Sequence, residues 1–186
     1  MNQPAVLVPI RSFTGMTRLS ETLDSDERSR LSRILASRLL TAIATAGLQT
    51  TVITASDEVA TWARQQSAAV CEDQGGGLTG AVHAGVSMVG SSPWLVVHAD
   101  LPLVTAHAIA AVAEACRSTT VIAPSYDGGT AVIGGRGSFP FSYGVGSFQR
   151  HYASAPNATV IISPEFGIDI DTERGLELVP ELLRKR

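Results

Sequence analysis

The stretch Trp94-Leu95-Val96-Val97-His98-Ala99-Asp100-Leu101-Pro102 constrains this chain more than any other. Four bulky apolar residues run without a break. Such a run reads as a strand buried on both faces, the kind found inside a parallel sheet. Leu101-Pro102 ends it, because proline brings no N–H to a ladder. Asp100 is therefore expected at the carboxyl end of a central strand, the edge at which open α/β sheets bind ligands. A carboxylate there suits Mg2+ held against a phosphate. It suits a turn or a helix cap equally well.

The rest of the chain supplies strands and helices in alternation. Ala5 to Ile10 reads as a first strand ended by Pro9, followed by a loop from Arg11 to Ser20. Asp24 with Glu27 has the spacing of a capping box, and Leu31, Ile34, Leu35, Leu39 and Ile43 recur at helical spacing up to Gly47. Thr50–Thr54 and Ala69–Cys71 read as strands, with a short helix capped by Ser56 between them. Gly75-Gly76-Gly77 is a loop, and a helix is expected over Thr79–Val89. Thr105 starts an alanine-rich helix to Cys116, and Thr120–Ala123 is a fifth strand. This order implies right-handed crossovers and a mostly parallel central sheet with helices on both faces.

The pattern loosens after Pro124. Asp127-Gly128-Gly129 marks a turn before a strand over Thr130–Ile133. A helix is expected over Gly146–Ala155, a strand over Thr159–Ile162, alternation over Ile168–Thr172, and a last helix over Glu173–Arg184. The expected fold class is a single α/β domain with a mixed C-terminal part, residues 1–123 serving one ligand and residues 124–186 the other.

The 186 residues suffice for one domain with a real core. A net charge of -3 argues against a nucleic-acid-binding surface, and 5% aromatic residues leave no base-stacking platform. Cys71 and Cys116 have no metal-type spacing, and no apolar run is long enough to span a membrane. A soluble cytoplasmic protein is expected. Trp62 and Trp94 read as core. His83 and His107 lack ligand spacing, and Arg150 with His151 reads as a solvated helix face.

Three groups of residues can carry chemistry. The loop Arg11-Ser12-Phe13-Thr14-Gly15-Met16-Thr17-Arg18 places a glycine and two cations after a central strand, a composition that can wrap a polyphosphate. It has neither a P-loop nor a dinucleotide-binding pattern. Asp100 with Asp169 or Asp171 forms a candidate acidic pair for Mg2+. Asp169 and Asp171 would share one strand face; they would meet the site, or lie exposed while Ile168 and Ile170 are buried. Gly128-Gly129-Thr130 and Tyr143-Gly144-Val145-Gly146-Ser147 offer close backbone approach and hydroxyl donors.

Together these residues resemble a known family. Val8-Pro9-Ile10-Arg11, Thr17-Arg18-Leu19 and Ser25-Asp26-Glu27-Arg28 look like the opening of the 2-phospholactate or phosphoenolpyruvate guanylyltransferases of coenzyme F-420 biosynthesis. Ala99-Asp100-Leu101-Pro102-Leu103 resembles their metal motif. Gly129-Thr130-Ala131-Val132, Gly144 with Ser147, and Asp169-Ile170-Asp171-Thr172 follow in the family's order. The resemblance implies a Rossmann-like nucleotidyltransferase that moves GMP from GTP to a phosphorylated three-carbon acid. It implies Pro9, Arg11, Gly15, Arg18, Gln74 and Thr79 at the nucleotide, and Arg18 and Asp100 in catalysis. Asp100, Asp169 and Asp171 would hold Mg2+, and Thr130, Gly144 and Ser147 would hold the acid. The sequence leaves the oligomeric state open, a homodimer among the options.

Three positions depart from the family's pattern. Met16 stands where a lysine usually precedes Thr-Arg-Leu, in a loop one residue shorter; that removes a charge-assisted phosphate contact worth ~1.5–3 kcal/mol. Thr79 replaces an asparagine, and Glu173 replaces a proline. The rival readings are a molybdenum-cofactor nucleotidyltransferase, which shares the Asp-Leu-Pro element, and a nucleotide-binding protein that has lost turnover.

Overall fold

The computed structural model describes residues 3–177. Seven strands form one sheet: β1 (Ala5–Pro9), β2 (Thr50–Thr54), β3 (Ala69–Glu72), β4 (Pro93–Val97), β5 (Val121–Pro124), β6 (Thr130–Arg136) and β7 (Thr159–Val160). Their order across the sheet is β3-β2-β1-β4-β6-β5-β7. The strands β1 to β4 pair in parallel, as do β5 and β7. Only β6 runs antiparallel, wedged between β4 and β5. The mixed C-terminal part thus continues the same sheet.

The helices are α1 (Ser25–Thr45), α2 (Asp57–Gln65), α3 (Gly77–Val89), α4 (Ala106–Ala115), α5 (Ser147–Ser154), α6 (Pro164–Gly167) and α7 (Glu173–Glu177). The long helix α1 begins where the sequence places it. The Asp24 carboxylate accepts from the N–H groups of Asp26 and Glu27, and the Glu27 carboxylate accepts from the Asp24 N–H. Ser56 and Thr105 cap α2 and α4 in the same way, through Val59 N–H and Ala108 N–H.

Strand alternation divides the core between two faces. Val6, Val8, Val52, Leu95 and Val97 pack against α1, α2, α4 and Phe166 of α6. Leu7, Ile53, Trp94, Val96 and Ile133 pack against α3 and the aromatic pair Phe139 and Phe141. Both tryptophans are core, Trp94 fully. Each such fully buried large side chain contributes roughly 1.5–3 kcal/mol. The helix α3 comes very close to the sheet: a Cβ on Gly85 would lie 2.4 Å from Ile53 Cδ1.

Several expected boundaries move. The central strand β4 ends at Val97, three residues before Asp100. His98 N–H still donates to Ala131 O of the antiparallel neighbour, and then the chain leaves the sheet. A 3-10 turn, Thr17–Leu19, lies inside the expected loop. The strand expected over Thr159–Ile162 is only two residues long, and α6 follows it unforeseen. The alternating segment 168–172 is no strand. Ile170 is fully buried against Leu19, Leu23, Leu31, Leu35 and Leu176, so the alternation reflects burial without a ladder. The last helix is seen from Glu173 to Glu177, and the rest of its expected span lies outside the described residues.

Candidate active site

A cavity of about 610 Å³ opens beyond the carboxyl ends of β1 and β4. The β1 loop supplies Pro9, Arg11, Gly15 and Met16 to its wall. Asp73 and Gly75 to Leu78 close the far side, and His98, Ala99 and Asp100 form the floor. Four of the sequence candidates therefore line it: Pro9, Arg11, Gly15 and Asp100. Gln74 is exposed beside the cavity, with Asp73 and Gly75 lining it instead. Thr79 sits on α3 and accepts the Tyr143 N–H at 3.2 Å, tying that helix to the C-terminal part. The loop's unusual backbone falls on Met16, at φ 57, and not on Gly15, where a Cβ would make only an ordinary contact, 3.9 Å from Ser12 O. A larger depression, of about 930 Å³, runs along α1 from Asp26 to Thr45 against Pro102, Val104, Thr105 and Ala106.

The acidic candidates meet at Asp100, and of the three only Asp100 lines the cavity. Ile170 N–H donates to Asp100 O at 2.9 Å, and this single backbone bond brings Asp169 and Asp171 to the Asp100 loop. Asp100 is half-buried as a residue, but its Oδ1 is out of reach of solvent and has no hydrogen-bond partner among the described residues. Burial, and then the charges of Asp171 and Asp127, push the Asp100 carboxyl up to about 6. Burial and the charges of Asp100, Asp127 and Asp171 push Asp169 up to about 6 as well. Asp171 is raised by burial, against the pull of Arg18, whose Nη1 donates to its Oδ2 at 2.7 Å.

Asp127 is a fourth acid that the sequence reading treated only as a turn residue. Ser125 Oγ–H and Gly129 N–H donate to its Oδ1, and these bonds hold its carboxyl low. Among the described residues, no three acidic, histidine or cysteine side chains are gathered into a complete metal cage. That is compatible with Mg2+, which takes one or two carboxylates and fills its octahedron with phosphate oxygens and water. A buried, unpartnered carboxylate oxygen amid mutually repelling acids fits a divalent cation.

The remaining candidates form a buried network. Ser142 N–H donates to His151 Nε2 at 2.9 Å, so the neutral ring carries its proton on Nδ1 and donates to Thr130 Oγ1 at 2.9 Å. Ser147 Oγ also donates to Thr130 Oγ1, at 3.2 Å, and Ser147 N–H donates to Gly144 O at 3.0 Å. Thr130 and Ser147 are both buried, and Gly144 is exposed at φ 117. The solvated reading of His151 is corrected: its side chain is fully buried, and burial with the Arg150 charge pushes its pKa down to about 4. Its ring packs against Phe139, Phe141 and Tyr143, contacts that nothing local in the sequence reveals. Arg150 is exposed and donates to Ser142 O and Val145 O, bracing the turn around Gly144.

Comparison with known proteins bears on the family and the fold. The family model described as "Guanylyl transferase CofC like" matches residues 4–181. The phosphoenolpyruvate guanylyltransferase of Rubrobacter xylanophilus is 30% identical over 91% of this chain and 90% of its own length. The 2-phospho-L-lactate guanylyltransferase of Methanocaldococcus vulcanius is 25% identical over 89% of this chain and 78% of its own. Among solved structures, a nucleotide-diphospho-sugar transferase of Desulfovibrio desulfuricans G20 superposes with a TM-score of 0.75 at 16% identity, covering 100% of this chain and 98% of that one. A CMP:2-keto-3-deoxy-manno-octonic acid synthetase complexed with CTP gives 0.65 at 11% identity, covering 99% of each. These structures share the fold. The sequence matches go further, and the chain belongs to the CofC-like guanylyl transferase family.

Proposed function

We propose that this protein transfers GMP from GTP to a phosphorylated three-carbon acid, phosphoenolpyruvate or 2-phospholactate, and releases pyrophosphate, as a step of coenzyme F-420 biosynthesis. The observation that carries this reading is the junction at Ile170: one backbone bond draws Asp169 and Asp171 to Asp100, with Arg18 alongside and a nucleotide-sized cavity adjoining.

In this reading a phosphate oxygen of the acid attacks the α-phosphorus of GTP, and the bond from that phosphorus to the bridging oxygen of pyrophosphate breaks. The attacking phosphate is already an anion, so no side chain has to remove a proton. The work left to the protein is positioning and charge neutralisation. Arg11 and Arg18 hold the triphosphate, and Arg18 leaves its pairing with Asp171 to do so. Pro9, Gly15 and the Gly75 to Leu78 turn shape the nucleoside side, with Gln74 and Thr79 close by. Gly144 offers backbone to the acid. Thr130 accepts from both His151 and Ser147, so its own hydroxyl proton is left to donate outward.

Asp100, Asp169 and Asp171 would hold Mg2+, which when bound neutralises the two anions that must approach each other. The reading calls for no nucleic-acid or membrane partner, and no helix among the described residues is long and apolar enough to cross a membrane. Met16, at the cavity wall without a cation, favours a second reading, a nucleotide-binding protein without turnover. Pyrophosphate release from GTP and Mg2+ in the presence of each acid separates the two. Release that depends on one acid supports the transferase; GTP binding with no release under any acid supports the second reading.

A further inference from the structure

The groove of about 930 Å³ along α1 takes no part in the site described above. The helix α1 lies between the two: Ser32 and Ala36 line the cavity, while Arg30, Arg33 and Arg38 line the groove. The chain as a whole has 17 Asp and Glu against 14 Lys and Arg. The groove reverses that balance, with three arginines and one acid, Asp26, among its described lining residues. Two of these arginines are fixed in place. Arg38 Nη1 donates to Pro102 O at 3.2 Å, across the groove. The Arg33 guanidinium lies 4.1 Å from the centroid of the buried Phe13 ring and pairs with Glu58. A guanidinium carries five N–H donors, so each keeps donors for a further partner. Holding the fork in place lowers the entropy that a new ion pair must overcome. Ile34 and Val104, both partly buried, add apolar surface beside the arginines.

Length and charge narrow what such a groove accepts. From Asp26 to Thr45 the helix runs about 28 Å. A single phosphate engages one or two guanidinium forks and leaves most of that length empty. A helix of about five turns matches it. Carboxylates three or four residues apart on that helix would meet the arginines, and its apolar residues would meet Ile34 and Val104. A second copy of the same face would set arginine against arginine.

We infer that this groove docks an acidic amphipathic helix of a partner protein. The occupied groove leaves the guanylyltransferase site open, so docking and turnover are separable. The ion pairs lie at a solvent-exposed surface, so each contributes little, and binding is micromolar and weakens with salt.

The test uses the full chain and a fluorescein-labelled helical peptide of about 20 residues. Its glutamates stand three and four residues apart beside a stripe of alanine and leucine, and binding is read by fluorescence anisotropy. A micromolar Kd is expected, roughly tenfold or more below that of a peptide with glutamine at every glutamate position. Arg30→Glu and Arg38→Glu should each weaken binding roughly fivefold or more, and saturating GTP should leave it unchanged. Arg38→Glu also gives up the Pro102 bond, so Arg30→Glu decides if the other variant fails to fold. Arg30→Glu should melt with the wild type and release pyrophosphate at the wild-type rate. In 15N-labelled protein, the amide shifts caused by the peptide should cluster on α1 and the start of α4. Equal binding of the two peptides, or none, would overturn the docking groove. Displacement by GTP, or shifts clustered on the β1 loop, would put the peptide on Arg11 and Arg18 and overturn it too. So would a wild-type dimer in sedimentation that Arg30→Glu dissociates, because a second copy would then cover the groove. Silence in the transferase assay would overturn the guanylyltransferase reading and leave these binding results standing.

Discussion

Asp100 holds a carboxyl oxygen away from water with no partner among the described residues, and burial pushes its pKa up to about 6. Replacing it by asparagine removes the charge and keeps the shape. Turnover of Asp100→Asn is expected to fall by roughly 100-fold or more, the scale for losing a group that stabilises charge in the transition state. Its melting temperature without added metal should equal or exceed that of the wild type, since an uncompensated buried charge is gone. Pyrophosphate release and thermal melting check both halves; a loss of activity with a lower melting temperature would point to a structural role. Met16 makes the opposite case. It lines the cavity in a left-handed backbone conformation that an unbranched lysine tolerates no worse. Met16→Lys should lower the KM for GTP by roughly tenfold through a charge-assisted phosphate contact. Initial rates against GTP concentration test this, and an unchanged KM would remove Met16 from the phosphate site.

At the scale of elements, much was legible because local chemistry and tertiary need agree. The α1 cap is a case. Asp24 and Glu27 have the right spacing, and the helix starts there. Asp24→Ala should cost about 1 kcal/mol in urea unfolding and leave the KM values alone. Where the sequence misled, long-range contacts decided. Ile168-Asp169-Ile170-Asp171 alternates like a strand, yet it has only one backbone bond to Asp100 to follow and no neighbouring ladder. Asp127 looked like turn punctuation because nothing local reveals that Asp100 and Asp169 lie within its electrostatic reach. His98 passed unremarked and His151 read as solvated because burial of a histidine is set by elements far away in the chain. The same elements produce a pH signature. His98 and His151 have folded pKa values near 4, below the ordinary 6.5, so the unfolded chain binds more protons between these values and stability falls on acidification. Asp100 and Asp169 have folded values near 6, above 3.8, so between those values the folded chain binds more protons and stability rises on acidification. The two pairs oppose each other over the shared window. Asp100→Asn removes one opposing acid and lowers the pKa of Asp169, so its urea midpoint without metal should fall more steeply than that of the wild type as pH drops from about 6 to about 4. Parallel profiles would mean the carboxylates are not raised.

For the molecule as a whole, the sheet order sets the charge landscape. β1 and β4 are neighbours, so the arginine loop after one strand faces the aspartate loop after the other. β6 lies on the other side of β4, which brings the turn holding Asp127 to the same end. The fold thus gathers acids from three separate loops against one buried floor. Burial, and then the charges of the neighbouring acids, raise Asp100 and Asp169, so below about pH 6 these two are mainly protonated. A divalent cation binding there must displace those protons, so its affinity weakens as pH falls. Because the assembled cluster exists only in the folded chain, binding stabilises the fold by RT ln(1 + c/Kd), where c is the free cation concentration. Mg2+ should therefore raise the melting temperature clearly at about pH 7.5 and much less at about pH 5, with the midpoint of the effect near the raised carboxylate values. Asp100→Asn should shrink the shift at the higher pH. Equal shifts at both pH values, or a shift untouched by that substitution, would place cation binding elsewhere on the protein and separate the acidic cluster from the metal.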